Sequence, residues 1–246
     1  MASVKKIRRF VETGRKGMYF SLITYKIHLI RHGRTAESSE SLYLGRTDLP
    51  LSAAGKQQLL EKASQFTYPP AQMVYTSPLQ RCVQTAEILY PDRLTLPLEA
   101  FNECDFGAFT GKSFAQLKNL PDYQKWVEGG FDAAPPDGES GMGLLSRVLG
   151  GLQEVFSRMM AERLTDIAVV THGGVIMSLL AACGFPKREM RQWVTDFGGG
   201  FTILLTPQMW MRDRAFEIYA EIPWRGVDHK FADDFGILDG TFYENN

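Results

Sequence analysis

Leu29-Ile30-Arg31-His32-Gly33-Arg34-Thr35 is where an apolar run stops abruptly at an arginine, a histidine and a glycine. Residues 25–30 are short, apolar or β-branched, and closed by Gly33, which predicts a buried parallel strand whose carboxyl end opens onto a crevice. A second apolar run, residues 166–171, ends the same way in Thr171-His172-Gly173-Gly174 and passes into the helical pattern 174–183. Two of the four histidines therefore stand at equivalent strand ends. His28, inside the first strand, reads as a core or sheet-face residue, and His229 falls in an irregular tail, so neither is given a catalytic role.

A third strand over 72–76 leads into Ser77-Pro78-Leu79-Gln80-Arg81, with Ser77 as the expected helix cap and Pro78 at the first helical position. Arg81 then falls in the opening turn and faces the crevice. A short extended segment, 95–100, precedes Asn102-Glu103-Cys104-Asp105-Phe106-Gly107 and brings two carboxylates to the same rim. Side chains alternate along extended backbone, so only one of Glu103 and Asp105 can face the crevice. Further helices are expected at 53–66, 78–89, 113–127, 142–161 and 187–195, with strands at 201–206 and 216–222. The alternation predicts a three-layer α/β/α sandwich with a mostly parallel central sheet. The stripe Leu144, Leu145, Val148, Leu152, Val155, Phe156 and Met159 reads as core packing rather than a partner groove.

Two histidines, two arginines and an acid suit phosphoryl chemistry. Guanidinium forks match phosphate oxygens and stay charged at any working pH, so Arg31 and Arg81 would hold the group and offset its charge. Neutral imidazole is the natural nucleophile, and neighbouring arginines disfavour protonation of His32 further. His172 would stabilise the transferring group. An alkoxide leaving group still needs a proton, which a carboxylic acid can supply before taking one from the attacking water, worth roughly 10²- to 10⁴-fold in rate.

These motifs resemble the histidine phosphatase superfamily, in the branch shared by cofactor-dependent phosphoglycerate mutases and small-molecule phosphatases of the alpha-ribazole phosphatase kind. The nucleophile motif matches residues 29–35, Gly45-Arg46-Thr47-Asp48-Leu49-Pro50-Leu51-Ser52 the segment after it, and residues 77–86 the second arginine motif. Residues 103–111 match the acid motif and Thr171-His172-Gly173 the second histidine motif, together covering about 26–207 in order. The resemblance implies a phosphohistidine intermediate on His32, a phosphate pocket of Arg31, Arg81 and His172, Glu103 as proton donor, and no metal or other cofactor. Asp105 is left as a turn-stabilising acid. Where many relatives have a phosphate-binding asparagine, the ungapped loop places Ser38, and Arg34 stands where relatives are often acidic, so the pocket is expected to be more cationic.

The resemblance implies a phosphomonoester hydrolase of small metabolites, with ribazole phosphate, sugar phosphates and phosphoglycerates as substrate classes. A phosphoglycerate mutase is the alternative within the same chemistry, and a weakly active phosphate-ligand binding protein the alternative outside it. Glu139 follows Glu103 by only 36 positions (139 minus 103), against a longer insertion implied for the mutase branch, which favours hydrolysis.

The 246 residues, 44% hydrophobic and 22% charged, can bury a sizeable core. The Gly/Pro-rich stretch 129–143 lies between the motif strands and reads as an active-site loop, not a linker. A net charge of −1 points to no nucleic acid and no acidic membrane surface as partner. Three cysteines, Cys82, Cys104 and Cys183, speak for buried thiols and a reducing cytoplasm rather than a disulfide framework. Residues 1–24 read as a dispensable extension, basic at Lys5, Lys6, Arg8 and Arg9, with Met18 a natural alternative start. Residues 25–222 form the expected catalytic domain, and the acidic, aromatic tail 223–246 could cover the pocket or a second copy in a homo-oligomer.

Overall fold

The computed structural model describes residues 23–36 and 42–224. The N-terminal basic stretch, Ser38, His229 and the tail beyond Trp224, each singled out in the sequence, lie outside them. The strands are β1 (Tyr25–Arg31), β2 (Met73–Thr76), β3 (Thr95–Pro97), β4 (Asp166–Thr171), β5 (Gly184–Phe185), β6 (Gly200–Leu205) and β7 (Phe216–Ile222). The helices are α1 (Ala53–Gln65), α2 (Gln80–Leu89), α3 (Phe114–Leu117), α4 (Pro121–Glu128), α5 (Gly141–Glu162), α6 (Gly173–Cys183) and α7 (Pro207–Asp213).

The strands make one sheet in the order β3-β2-β4-β1-β6-β7-β5, in which β6 alone runs against its neighbours. Alternation along the strands divides the core. Ile27 and Leu29 of β1 with Ile167 and Val169 of β4 pack against Val148, Leu152 and Phe156 of α5 and Ile176 and Leu179 of α6. Ile30, Val74, Ala168 and Val170 face the other way, onto Cys82 and Ala86 of α2. The result is the expected three-layer sandwich, in which each fully buried aliphatic or Phe side chain is worth roughly 1.5–3 kcal/mol of transfer free energy. His28 is the buried sheet residue the sequence suggested: its Nδ1 lies 3.0 Å from Thr202 Oγ1 across the β1–β6 pair.

Four local expectations are corrected. Ser77 is not the cap of α2: its hydroxyl donates to Asn102 Oδ1 (2.7 Å) and accepts only from Leu79 N (3.3 Å), and the helix starts at Gln80 after Leu79. The helix expected over 113–127 is two: a Ser113/Gln116 capping box opens α3, and Pro121, with no N–H to give, opens α4 afresh. The helix expected over 187–195 shrinks to a 3₁₀ turn, Met190–Trp193, which buries Trp193. The extended segment 95–100 ends at Pro97 and turns into a 3₁₀ turn, Glu99–Phe101. Two elements went unforeseen, β5 and α7, although α7 carries a plain signature: Thr206 Oγ1 accepts from Met209 N, and Pro207 follows it.

Candidate active site

Strand register builds the centre of the site. Arg31 of β1 pairs with Thr171 of β4, and His32 N donates to Thr171 O at 2.9 Å, so the two chains leave the sheet side by side. His32 and His172 therefore meet, with ring centroids 5.1 Å apart. Both are buried. His32 Nδ1 lies 2.6 Å from Gly33 O; a carbonyl can only accept, so the proton sits on Nδ1 and the Nε2 lone pair is left outward. Burial, then the charge of Arg81, and also that of Arg31, push the His32 pKa down to about 3 against the opposing Gly33 bond. His172, at the N-cap of α6, is held well below the ordinary value by burial, by His32 and by Arg81. Its Nε2 lies 3.5 Å from Cys82 Sγ. The loop after His32 is tied to α2: Gly33 N donates to Thr85 Oγ1 at 2.9 Å, and that hydroxyl donates to Arg81 O at 2.6 Å.

Arg81 enters from the first turn of α2 and is 2% exposed. Its Nη1 donates to Thr47 O (2.6 Å) and its Nη2 to Gly45 O (2.7 Å), which fixes the guanidinium plane. Gly45 sits at φ +52°, and a Cβ there would stand 2.8 Å from Cys104 O, so this anchoring turn requires glycine. Arg31 Nη1 donates to Thr195 O at 2.6 Å, and its guanidinium carbon lies 4.1 Å from the Phe197 ring centroid. The Nε atoms of both arginines are buried without a protein partner, so each keeps donors for an anion. The β6-proximal loop that supplies Thr195 and Phe197 was not foreseen as part of the site. Nothing short of its return past Arg31 marks it.

Glu103 turns inward. Its Oε1 accepts from Cys104 N (2.9 Å) and its Oε2 from Gly174 N (3.1 Å), at the start of α6. Removal from water raises its pKa, against the two N–H donors and the charges of Arg81 and Arg31. A Cβ on Gly174 would stand 2.4 Å from Oε1, so only glycine admits the carboxylate here. Asp105 turns outward: its Oδ1 accepts from Gly107 N at 3.0 Å, the turn bond expected of it, and its Oδ2 lies 3.9 Å from Arg46. Arg34 is exposed, its guanidinium carbon 5.5 Å from the Phe197 centroid. Five of the six residues named from sequence, Arg31, His32, Arg81, Glu103 and His172, thus lie together around the ends of β1 and β4. Ser38 lies outside the described residues. Among the described residues no group of three or more His, Cys, Asp or Glu could hold a metal ion.

The family model of the histidine phosphatase superfamily (branch 1) matches residues 27–210. The adenosylcobalamin/alpha-ribazole phosphatase of Escherichia coli is 29% identical over 181 residues, covering 70% of this chain and 86% of that protein. The phosphatase PhoE of Bacillus subtilis is 31% identical over 156 residues, 62% of this chain and 74% of its own. The crystal structure of the alpha-ribazole phosphatase from Shigella flexneri superposes with a TM-score of 0.67 at 22% identity, covering 82% of this chain and 99% of that one.

Proposed function

The chain belongs to branch 1 of the histidine phosphatase superfamily, and from that premise we propose that it hydrolyses phosphomonoesters of small metabolites through a phosphohistidine on His32. The observation that carries this is the β1–β4 register, which sets a neutral His32, with Nε2 free, beside His172, the buried Arg81 and the partly buried Arg31. Arg31 and Arg81 bind the phosphoryl oxygens through the donors their backbone contacts leave over. Nε2 attacks phosphorus as the ester P–O bond breaks, and the protonated Glu103 carboxyl gives its proton to the leaving alkoxide. Water then attacks the phosphohistidine, Glu103 takes its proton, and orthophosphate leaves with His32 restored. His172 donates to the transferring group once the anion is bound. One sequence relative is an adenosylcobalamin/alpha-ribazole phosphatase, which supports a phosphorylated nucleoside-like metabolite as substrate class.

Every step falls to side chains of this chain, so turnover is expected to survive EDTA. The test is a panel of phosphomonoesters scored for free phosphate, with 3-phosphoglycerate plus catalytic 2,3-bisphosphoglycerate as the mutase arm. Phosphate release from at least one small ester, with little 2-phosphoglycerate, is expected. Rapid 2-phosphoglycerate formation with no free phosphate from any substrate would overturn the hydrolase assignment.

A further inference from the structure

Just ahead of α5, away from the histidine pair, one carboxylate gathers two arginines. Glu139 Oε1 accepts from Arg147 Nε at 3.0 Å and Oε2 from Arg147 Nη2 at 2.7 Å, a two-pronged pair, while Arg46 Nη2 reaches Oε2 at 3.1 Å. These arginine charges, with the Arg147 hydrogen bond, outweigh partial burial and hold the Glu139 pKa below the ordinary carboxylate value. What the arginines do with their other donors is informative. Arg147 Nη1 donates to Ala100 O (3.0 Å), Asn102 O (3.0 Å) and Glu99 O (3.3 Å), and its Nη2 lies 3.4 Å from Glu103 O. Four carbonyls of the segment that carries Glu103 thus converge on one guanidinium, whose plane Glu139 sets. Arg46 Nε adds a contact to Glu103 O at 3.4 Å.

The main chain joins the same node. Glu139 N donates to Asp105 O at 2.8 Å, and Cys104 Sγ lies 3.4 Å from Glu139 O. Arg46 sits between Gly45 and Thr47, the residues whose carbonyls orient Arg81. A partly exposed ion pair contributes little stability by itself, and the Arg147 and Glu139 side chains keep 22% and 16% of their surface. What four carbonyls on one fork supply is position. Both side-chain hydrogen bonds to Glu103 O seen among the described residues come from these two arginines.

We infer that Glu139, acting through Arg147 and Arg46, is the positioning residue for the Glu103 proton donor and for the turn that aims Arg81. Among the described residues neither Glu139 nor Arg147 hydrogen-bonds the side chains of Arg31, His32, Arg81 or His172. The inference rests on the proposed hydrolysis, in which Glu103 protonates the leaving oxygen. Misplacing an acid by about 1 Å can cost on the order of 100-fold, and the loss should scale with how much the leaving group needs the proton.

The test compares an alkyl phosphate with p-nitrophenyl phosphate, whose leaving group needs no proton, in the wild type, Glu103→Gln and Glu139→Gln, alongside thermal unfolding. Glu139→Gln is expected to lower kcat on the alkyl ester by about 10- to 100-fold and on the aryl ester by only a few-fold, following the Glu103→Gln pattern. Should Glu139→Gln fail to fold, Arg147→Lys carries the test with the same expected split, since it keeps the charge and loses the fork. Equal losses on both esters, or an unchanged alkyl rate, with the split still present in Glu103→Gln, would overturn the inference and leave the function standing. A wild type that hydrolyses neither ester would overturn the function itself.

Discussion

In the proposed reaction a single carbonyl oxygen, that of Gly33, decides which nitrogen of His32 would attack. Because Nδ1 must carry the proton, Nε2 is a ready lone pair, and with a pKa near 3 the ring stays neutral across all ordinary working pH. The acid limb of kcat/KM should therefore lack a histidine inflection near 6.5, and a clear loss of activity centred there would contradict a neutral buried nucleophile. With Glu103 as the proposed proton donor, its raised pKa is expected to set the other limb. The protonated form persists above the ordinary carboxylate range, and alkyl phosphate turnover falls as pH rises through it, while aryl phosphate turnover does not. Glu103→Gln should accordingly hurt the alkyl ester selectively, and Asp105→Asn, which disturbs a turn bond to Gly107, should not. A selective loss in Asp105→Asn instead would exchange their roles. Gly174→Ala probes the same acid without removing it: its Cβ would displace the carboxylate from 2.4 Å, so alkyl turnover should drop at least tenfold while the melting temperature barely moves. A drop in stability with unaltered substrate discrimination would mean that the glycine serves packing alone.

At the scale of elements, β1 and β4 were plain in the sequence because each is a short apolar run stopped by a histidine and a glycine, and their pairing delivers both histidines. α5 was plain because its apolar stripe holds through residues 144–159. The start of α2 was not, since Ser77 looks like a cap but spends its hydroxyl on Asn102 Oδ1, a partner 25 positions away (102 minus 77). The break between α3 and α4 was legible in Pro121 and overridden by helix-like spacing around it. Glu139 and Arg147 could not be read as part of the site, because what they hold is backbone, and carbonyls leave no mark in composition. The tie between α2 and the nucleophile loop is equally silent in sequence and offers a test. Thr85→Val keeps the shape and removes the oxygen that accepts from buried Gly33 N. It should cost about 1–3 kcal/mol in denaturant unfolding and slow turnover by loosening His32. Unchanged stability would show that this N–H finds another acceptor.

For the whole molecule, three buried histidines govern the response to acid. The folded pKa of His28 lies at about 4, that of His32 at about 3 and that of His172 well below 6.5, each lowered first by burial. Below pH 6.5 the unfolded chain takes protons that the folded chain refuses, so stability declines as pH falls toward 4, by about 1.4 kcal/mol per unit and histidine once well below 6.5. Glu103, raised, works in the opposite sense and offsets part of this. Urea midpoints at pH 7.5 and 5.0 should show the decline, and His28→Gln, away from the catalytic pair, should make it shallower; a flat profile would contradict the burial of neutral rings. The same buried, neutral His32 is the premise of the chemistry, and one measurement tests it most directly. The enzyme is quenched in the pre-steady state with a ³²P-labelled ester that the panel shows to be a substrate. The account predicts label on the protein that is stable in base, lost in acid, mapped to the peptide containing His32 and absent from His32→Ala, which should be folded and inactive. Acid-stable label, or turnover retained in His32→Ala, would contradict it.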